Sequence, residues 1–236
     1  MIKDITTLET RLRETNLPNK QSLVFFVESM GKSFSVYSKA SFNKELNKEE
    51  QKILTMNLLV NLVSTFEVFL KKVVKDLIET REGAVCQKGL KKLLQQKFPL
   101  TEILNLCKNC GPVRRKGDLT ALSCFFQNLE QVDSIIGGLL EIAFLDEVGK
   151  HQCSESLNKI LGDYSHKEPG KVFTSLDFEI SDWRKTLDEI FLLRHNFIHQ
   201  MRLGIENLNA INYFMAIETT GIVIQDFIES YKIMEK

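Results

Sequence analysis

The 236-residue chain has no excess of charge of either sign, since Lys plus Arg and Asp plus Glu each number 31. A balanced surface has no overall field to gather a polyanion, so any contact with nucleic acid must be made by a local group of residues. Long unbroken apolar runs are also missing: none reaches the roughly 18 residues that span a bilayer. The opening stretch, MIKDITTLETRLRE, scatters charges where a secretory signal needs an apolar centre. These absences predict a cytoplasmic chain with no membrane partner, whose five cysteines are reduced thiols. Strand-like alternation is absent too. What remains, 43% hydrophobic and 26% charged residues, is the composition of a globular domain and excludes a disordered chain.

Glycine and proline are few, 12 and 4, and their placement organises the chain. Neither occurs between Gly31 and Gly83. In that stretch Leu59, Val63, Phe66, Leu70, Val73 and Leu77 recur at alternating spacings of four and three, which predicts an amphipathic helix over Lys52–Thr80. Two shorter helices, Ile5–Glu14 and Ser22–Ser38, precede it, separated by Asn16, Pro18 and Asn19. Turn signals then crowd the middle, at Gly111-Pro112, Gly117-Asp118, Gly137-Gly138, Gly149, Gly162 and Pro169-Gly170. Between them, Gly89–Gln96, Leu100–Leu106, Leu119–Val132 and Glu155–Leu161 read as short helices.

A breaker-free run follows from Lys171 to Leu203. Its helix is expected to start at Ser181 or Asp182, either able to cap it, and to carry Trp183, Leu187, Ile190, Phe191, Leu193, Phe197, Ile198 and Met201. The last helix begins at Asn207 or Asn209 and ends near Ile233, with Ile211, Phe214, Ile217, Ile222, Ile224 and Phe227 as core candidates. Long helices joined by short turns make a bundle. The expectation is therefore an all-α fold in one domain, 1–236: N-terminal helices over 1–82, a helical insertion over 83–170, and a polar-motif helix with the C-terminal helix over 171–236.

Chemistry concentrates in Leu193-Arg194-His195-Asn196-Phe197-Ile198-His199-Gln200, which places an arginine and two of the four histidines in an otherwise apolar helix. At about 100° per residue, His195 lies about 100°, His199 about 140° and Arg202 about 80° round the helix from Arg194. Phe191 and Ile198 fall in the same arc, a mixed surface of the kind that meets a second subunit or a cleft. Arginine offers a permanently charged fork of donors that fits phosphate oxygens. Histidine accepts and returns protons near neutral pH. These are the parts for cleaving RNA without a metal: a base for the ribose 2′-hydroxyl, a cation for the crowded phosphorane and an acid for the leaving 5′-oxygen. Asn196 and Arg202 are the candidate substrate-binding residues. Two proton-transfer groups are needed, and a symmetric dimer would bring two Arg194–His199 pairs to one cleft.

The segment Arg194-His195-Asn196-Phe197-Ile198-His199 resembles the signature of the HEPN ribonucleases, an arginine followed after four to six residues by a histidine, often with a polar residue directly after the arginine. The likeness is close over Leu187–Gly204 and looser at Phe66-Glu67-Val68-Phe69-Leu70 and the C-terminal helix, while 83–170 is longer than a minimal HEPN domain needs. The resemblance implies an all-helical up-and-down bundle that pairs its motif helices in a homodimer. It further implies a metal-independent endoribonuclease of a toxin–antitoxin or antiviral defence system, with an antitoxin or other defence protein as partner and no cofactor. Arg194 and His199 are then catalytic and His195 supporting. A non-cleaving HEPN-like module that binds a nucleotide or a protein is the alternative.

Other readings of the same residues compete. His195 and His199 could be core histidines, with Arg194 in an internal ion pair with Glu67 or Asp188. Histidines four apart on a helix can also share one zinc ion, although neither a glutamate between them nor a third ligand stands nearby. Cys107-Lys108-Asn109-Cys110 has the CxxC spacing of a zinc grip, with Cys124, His151 and Cys153 as possible partners that form no second CxxC or HxxxH. Basic clusters at Lys71, Lys72 and Lys75, at Lys88, Lys91, Lys92 and Lys97, and at Arg114, Arg115 and Lys116 are candidate phosphate contacts or solvated helix faces.

Overall fold

The computed structural model describes residues 20–41, 46–80, 85–94, 117, 120–121, 124–151, 180–200 and 210–231. Among these, every regular element is a helix and none is a strand: α1 (Lys20–Ser41), α2 (Lys48–Thr80), α3 (Gln87–Leu94), α4 (Leu129–Val132), a π-turn (Asp133–Gly137), α5 (Gly138–Leu140), α6 (Phe144–Lys150), α7 (Ile180–Gln200) and α8 (Ala210–Tyr231). The fold is all-α, as the patterning predicts. The expected helices at Ile5–Glu14, Leu100–Leu106 and Glu155–Leu161, together with Cys107, Cys110, Cys153, Met201 and Arg202, lie outside the described residues.

The chain divides into two compact units, one of Met1–Phe66 with His151–Met234 and one containing Glu67–Lys150. In the first, α1 runs antiparallel to α2. Tyr37 Oη lies 3.3 Å from Thr55 Oγ1 towards one end, and the rings of Phe26 and Phe66 are 6.1 Å apart towards the other. The same logic sets α1 antiparallel to α8: Phe34 stacks on Phe214 at 4.7 Å, while Phe26 abuts Gly221. Helix α7 joins this core through Phe191, 6.5 Å from Phe66, and packs on α8. Helix α8 is buried on almost every side, which explains why its apolar residues show no single stripe. Gly221 has a packing role there: a methyl group on it would lie 2.7 Å from Phe26 Cζ.

Helix α2 starts at Lys48, four residues before the expected Lys52, because Asn47 caps it. Asn47 Oδ1 accepts from the amides of Glu49 and Glu50 at 2.9 and 3.0 Å, and Glu50 Oε2 accepts from the Asn47 amide at 2.8 Å, a reciprocal capping box. No unbroken apolar run reaches membrane-spanning length, but one helix is apolar enough on average hydropathy. Lys48–Glu79 includes an 18-residue window of mean hydropathy 1.7, half of it buried within the protein. Uncharged Asn57, Asn61, Ser64 and Thr65 interrupt the apolar run without lowering its average much. By length and composition alone this helix could cross a membrane.

In the second unit the expected helix Leu119–Val132 is interrupted. Residues 124–126 are irregular, and α4 starts afresh at Leu129, where Asn128 accepts from the Gln131 amide at 2.8 Å. The chain does not turn at Gly137-Gly138 either: both glycines are helical, and the reversal comes at Glu141, with φ of 56°. Close approach is instead the role of Gly137 and Gly89: a Cβ on Gly137 would lie 2.6 Å from Ile142 O, while one on Gly138 would meet nothing within 4 Å. Gly89 of α3 sits against the Gly138 backbone, 2.8 Å from its carbonyl carbon to a would-be Cβ, and the Cys86 amide donates to Leu139 O at 2.7 Å.

Candidate active site

Helix α7 positions the motif. Its core side is Leu187, Ile190, Phe191 and Leu193, all buried. The opposite side exposes Asp188, Leu192, His195 and His199, spaced four, three and four apart and so stacked along one stripe. Both imidazoles are exposed, so neither is a core histidine, and their ring centroids are 4.6 Å apart with planes inclined at 46°. Arg194 is half-buried, at the edge between the exposed stripe and the core, and Asn196 is half-buried beside it. The structure thus brings His195 and His199 together, while Arg194 leaves the same helix in a direction about 140° away from His199.

One expectation about this surface is overturned. Phe191 was expected beside the charged residues on an outward face, but it is 3% exposed and packs against Phe66. An arc 140° wide necessarily overlaps the core-facing side, and Phe191 sits on that overlap. The outward apolar residues are Ile198, 42% exposed, and Leu192, 59% exposed. Leu192 was missed, although its position three before His195 and seven before His199 places it on their stripe. Polar groups further down α7 frame the site. Partial desolvation holds the Asp188 carboxyl above its ordinary range, and Arg184, one turn earlier, pulls the other way. Tyr213 of α8 donates to Glu189 Oε1 at 3.3 Å. Burial, and then the neighbouring Glu189 carboxylate as both charge and acceptor, raise its phenol above the usual value.

The other sequence candidates occupy different surroundings. Cys124 is buried and its thiol donates to Thr120 O at 3.1 Å; His151 Nε2 is 2.8 Å from Asp226 Oδ2 in a nearly closed pocket against the Phe227 ring. That His–Asp pair joins residues 75 apart and has no local sequence signal. Among the described residues no group of three or more His, Cys, Asp or Glu side chains is arranged to hold a metal ion. Of the basic clusters, Lys71 lies 5.7 Å from the centroid of the exposed Phe125 ring and Lys75 pairs with Glu79 at 3.7 Å. Burial lowers the Lys72 ammonium, Asp76 opposing and Lys75 adding to the fall. Lys88, Lys91 and Lys92 are exposed on α3, and Lys97 and Arg114–Lys116 lie outside the described residues.

Taken together, α7 offers two adjacent imidazoles open to solvent, a guanidinium one side-step away, and apolar side chains between them. Such a surface can move protons at a bound phosphodiester and hold its charge. No protein-family model matches this chain, and neither a curated protein nor a solved structure does.

Proposed function

We propose that the chain is a metal-independent endoribonuclease of the HEPN type, a homodimer that cleaves RNA in a toxin–antitoxin or antiviral defence system, with its active site on α7. The observation that carries this reading is the exposure of His199 and His195 on the helix that also holds Arg194, in an all-helical chain, at the spacing of the HEPN motif. A histidine that works on a polymer must be reachable, and both are.

In the reaction, the His199 imidazole of one protomer takes the proton of the ribose 2′-hydroxyl, whose oxygen attacks the adjacent phosphorus. The Arg194 guanidinium binds the non-bridging oxygens as negative charge builds on them. A protonated His199 from the second protomer gives its proton to the departing 5′-oxygen, so the products are a 2′,3′-cyclic phosphate and a 5′-hydroxyl. His195 supports by packing beside the His199 ring. A single copy directs Arg194 and His199 to different sides of one helix, and two copies related by a two-fold axis can supply the missing group to each other. Leu192 on this stripe and Ile198 to one side of it, both apolar and exposed, are the surface such a partner would cover.

The test is incubation of the purified chain with single-stranded RNA in EDTA, followed by end-group analysis. Cleavage to cyclic phosphate and 5′-hydroxyl ends, with single-stranded DNA left intact, is expected. Magnesium-dependent 5′-phosphate ends would refute the mechanism, and intact RNA would leave a binding module as the better account.

A further inference from the structure

His195 and His199 stand on consecutive turns of α7 with their ring centroids 4.6 Å apart, both open to solvent. A ring nitrogen binds Zn2+ at about 2.0–2.1 Å, so two imidazoles in neighbouring positions around one ion, roughly 90–109° apart, hold their centroids roughly 4.5–5.3 Å from each other. The separation in the protein already falls in that range. The helix backbone fixes the two Cβ atoms one turn apart, so little side-chain freedom is left to lose when an ion is gripped. His199 also lies in the last turn of α7, where backbone carbonyls turn the negative end of the helix dipole towards any cation.

We propose that His195 and His199 form a two-imidazole chelate for a divalent first-row transition-metal ion, Zn2+ in particular, with water completing its coordination. Neutral imidazole suits Zn2+ and Cu2+ and has little affinity for Mg2+ or Ca2+, so the site selects by ligand type. With two protein ligands it binds reversibly and stays open, unlike a closed structural zinc site. Binding occupies one nitrogen lone pair on each ring, the lone pair that His199 needs in order to accept a proton. An occupied chelate therefore switches off proton transfer. The chelate stands on the geometry of the two rings alone; the inhibition rests on the ribonuclease reading.

The test uses the full-length protein, stripped of metal with EDTA and exchanged into buffer, and follows the histidine ring C–H signals by NMR during titration with zinc sulfate. His195 and His199 are expected to respond together with one midpoint, whatever zinc the cysteines take up. In His199→Asn the response of His195 should move to zinc concentrations higher by about tenfold or more, because the second ligand is no longer held beside the first. His195→Asn should do the same to His199. Both residues are exposed, so neither change threatens folding, and circular dichroism on the same samples checks this. Separate midpoints, or an unchanged His195 response in His199→Asn, overturn the chelate. RNA cleavage by the wild type should fall with the same zinc midpoint. If the rings bind zinc together and no RNA is cut in EDTA, the chelate stands and the ribonuclease reading fails.

Discussion

Replacing Gly221 with alanine sets helix propensity against packing, and the structure decides which wins. In an exposed helix the change stabilises by about 1 kcal/mol, because glycine loses more backbone freedom on folding than alanine. At this position the new Cβ would stand 2.7 Å from Phe26 Cζ and 3.1 Å from Cδ1, where an ordinary contact needs 3.4 Å or more. The Phe26 ring is fully buried and stacked towards Phe66, so it has no free space to enter. Forcing a methyl group into such a core typically costs about 1–3 kcal/mol. The net expectation is a loss of up to about 2 kcal/mol, or up to roughly 8 °C in melting temperature for a chain of this size. Gly138→Ala is the matched control: that glycine is helical, and a Cβ there meets nothing within 4 Å, so the propensity gain should appear unopposed. Thermal melts followed by circular dichroism measure both, and Phe26→Leu in the Gly221→Ala background should recover part of the loss. If Gly221→Ala melts at or above the wild-type temperature, the account of the α1–α8 contact is wrong.

On the proposed chemistry, His199→Ala should slow RNA cleavage by about 10²–10⁴-fold with an unchanged melt, and His195→Ala should retain more activity than His199→Ala. Arg194→Lys keeps the charge but loses the planar fork, so its rate should fall, and Arg194→Ala should fall further; unchanged cleavage in His199→Ala would end the assignment. Sedimentation should give the wild type twice its 27.2 kDa monomer mass. Leu192→Glu with Ile198→Glu should give a folded, inactive monomer, and a wild-type monomer with full activity would exclude a shared site. The raised Tyr213 phenol contributes stability that is present below the phenol's ordinary pKa and lost as pH rises through the folded-state value. Melting temperature should therefore fall at alkaline pH, and Tyr213→Phe should flatten that limb; a slope identical to wild type would show that other groups carry it.

Much of the helical framework is legible in the sequence because a single physical signal dominates it. The stripe from Leu59 to Leu77 is buried throughout, and the breaker-free run around Arg194 is one helix. Where the reading went astray, a short-range signal was outweighed by a contact from elsewhere in the chain. Gly137 and Gly138 look like a turn, yet both are helical, and it is Gly137 and Gly89 whose missing side chains let neighbouring backbone come close. Asn128 looks unremarkable inside an apolar stretch, yet its side chain starts a helix. At the site, wheel geometry places Arg194, His195 and His199 correctly around the helix, but it cannot show which edge the core takes. Phe191, expected outward, is therefore buried against Phe66, and Leu192, for which no role was expected, faces outward. The His151–Asp226 pair was invisible, since nothing local links residues so distant in sequence.

The first compact unit is made of two stretches, and its halves are separated by all of Glu67–Lys150. Helices α1 and α2 leave the ribosome long before the partners of Phe66 and Phe26 exist: α7 begins at Ile180 and α8 at Ala210. At about 5–20 residues per second, the 114 residues from Phe66 to Ile180 take roughly 6–23 s to make. For that interval a nascent hairpin of two long helices lacks the α7 and α8 partners that pack on it in the finished fold. Its fate in those seconds depends on translation speed and on whatever holds unfinished chains apart, so slowing codons within the 67–150 region should lower the soluble yield of a protein whose sequence and final stability are unchanged.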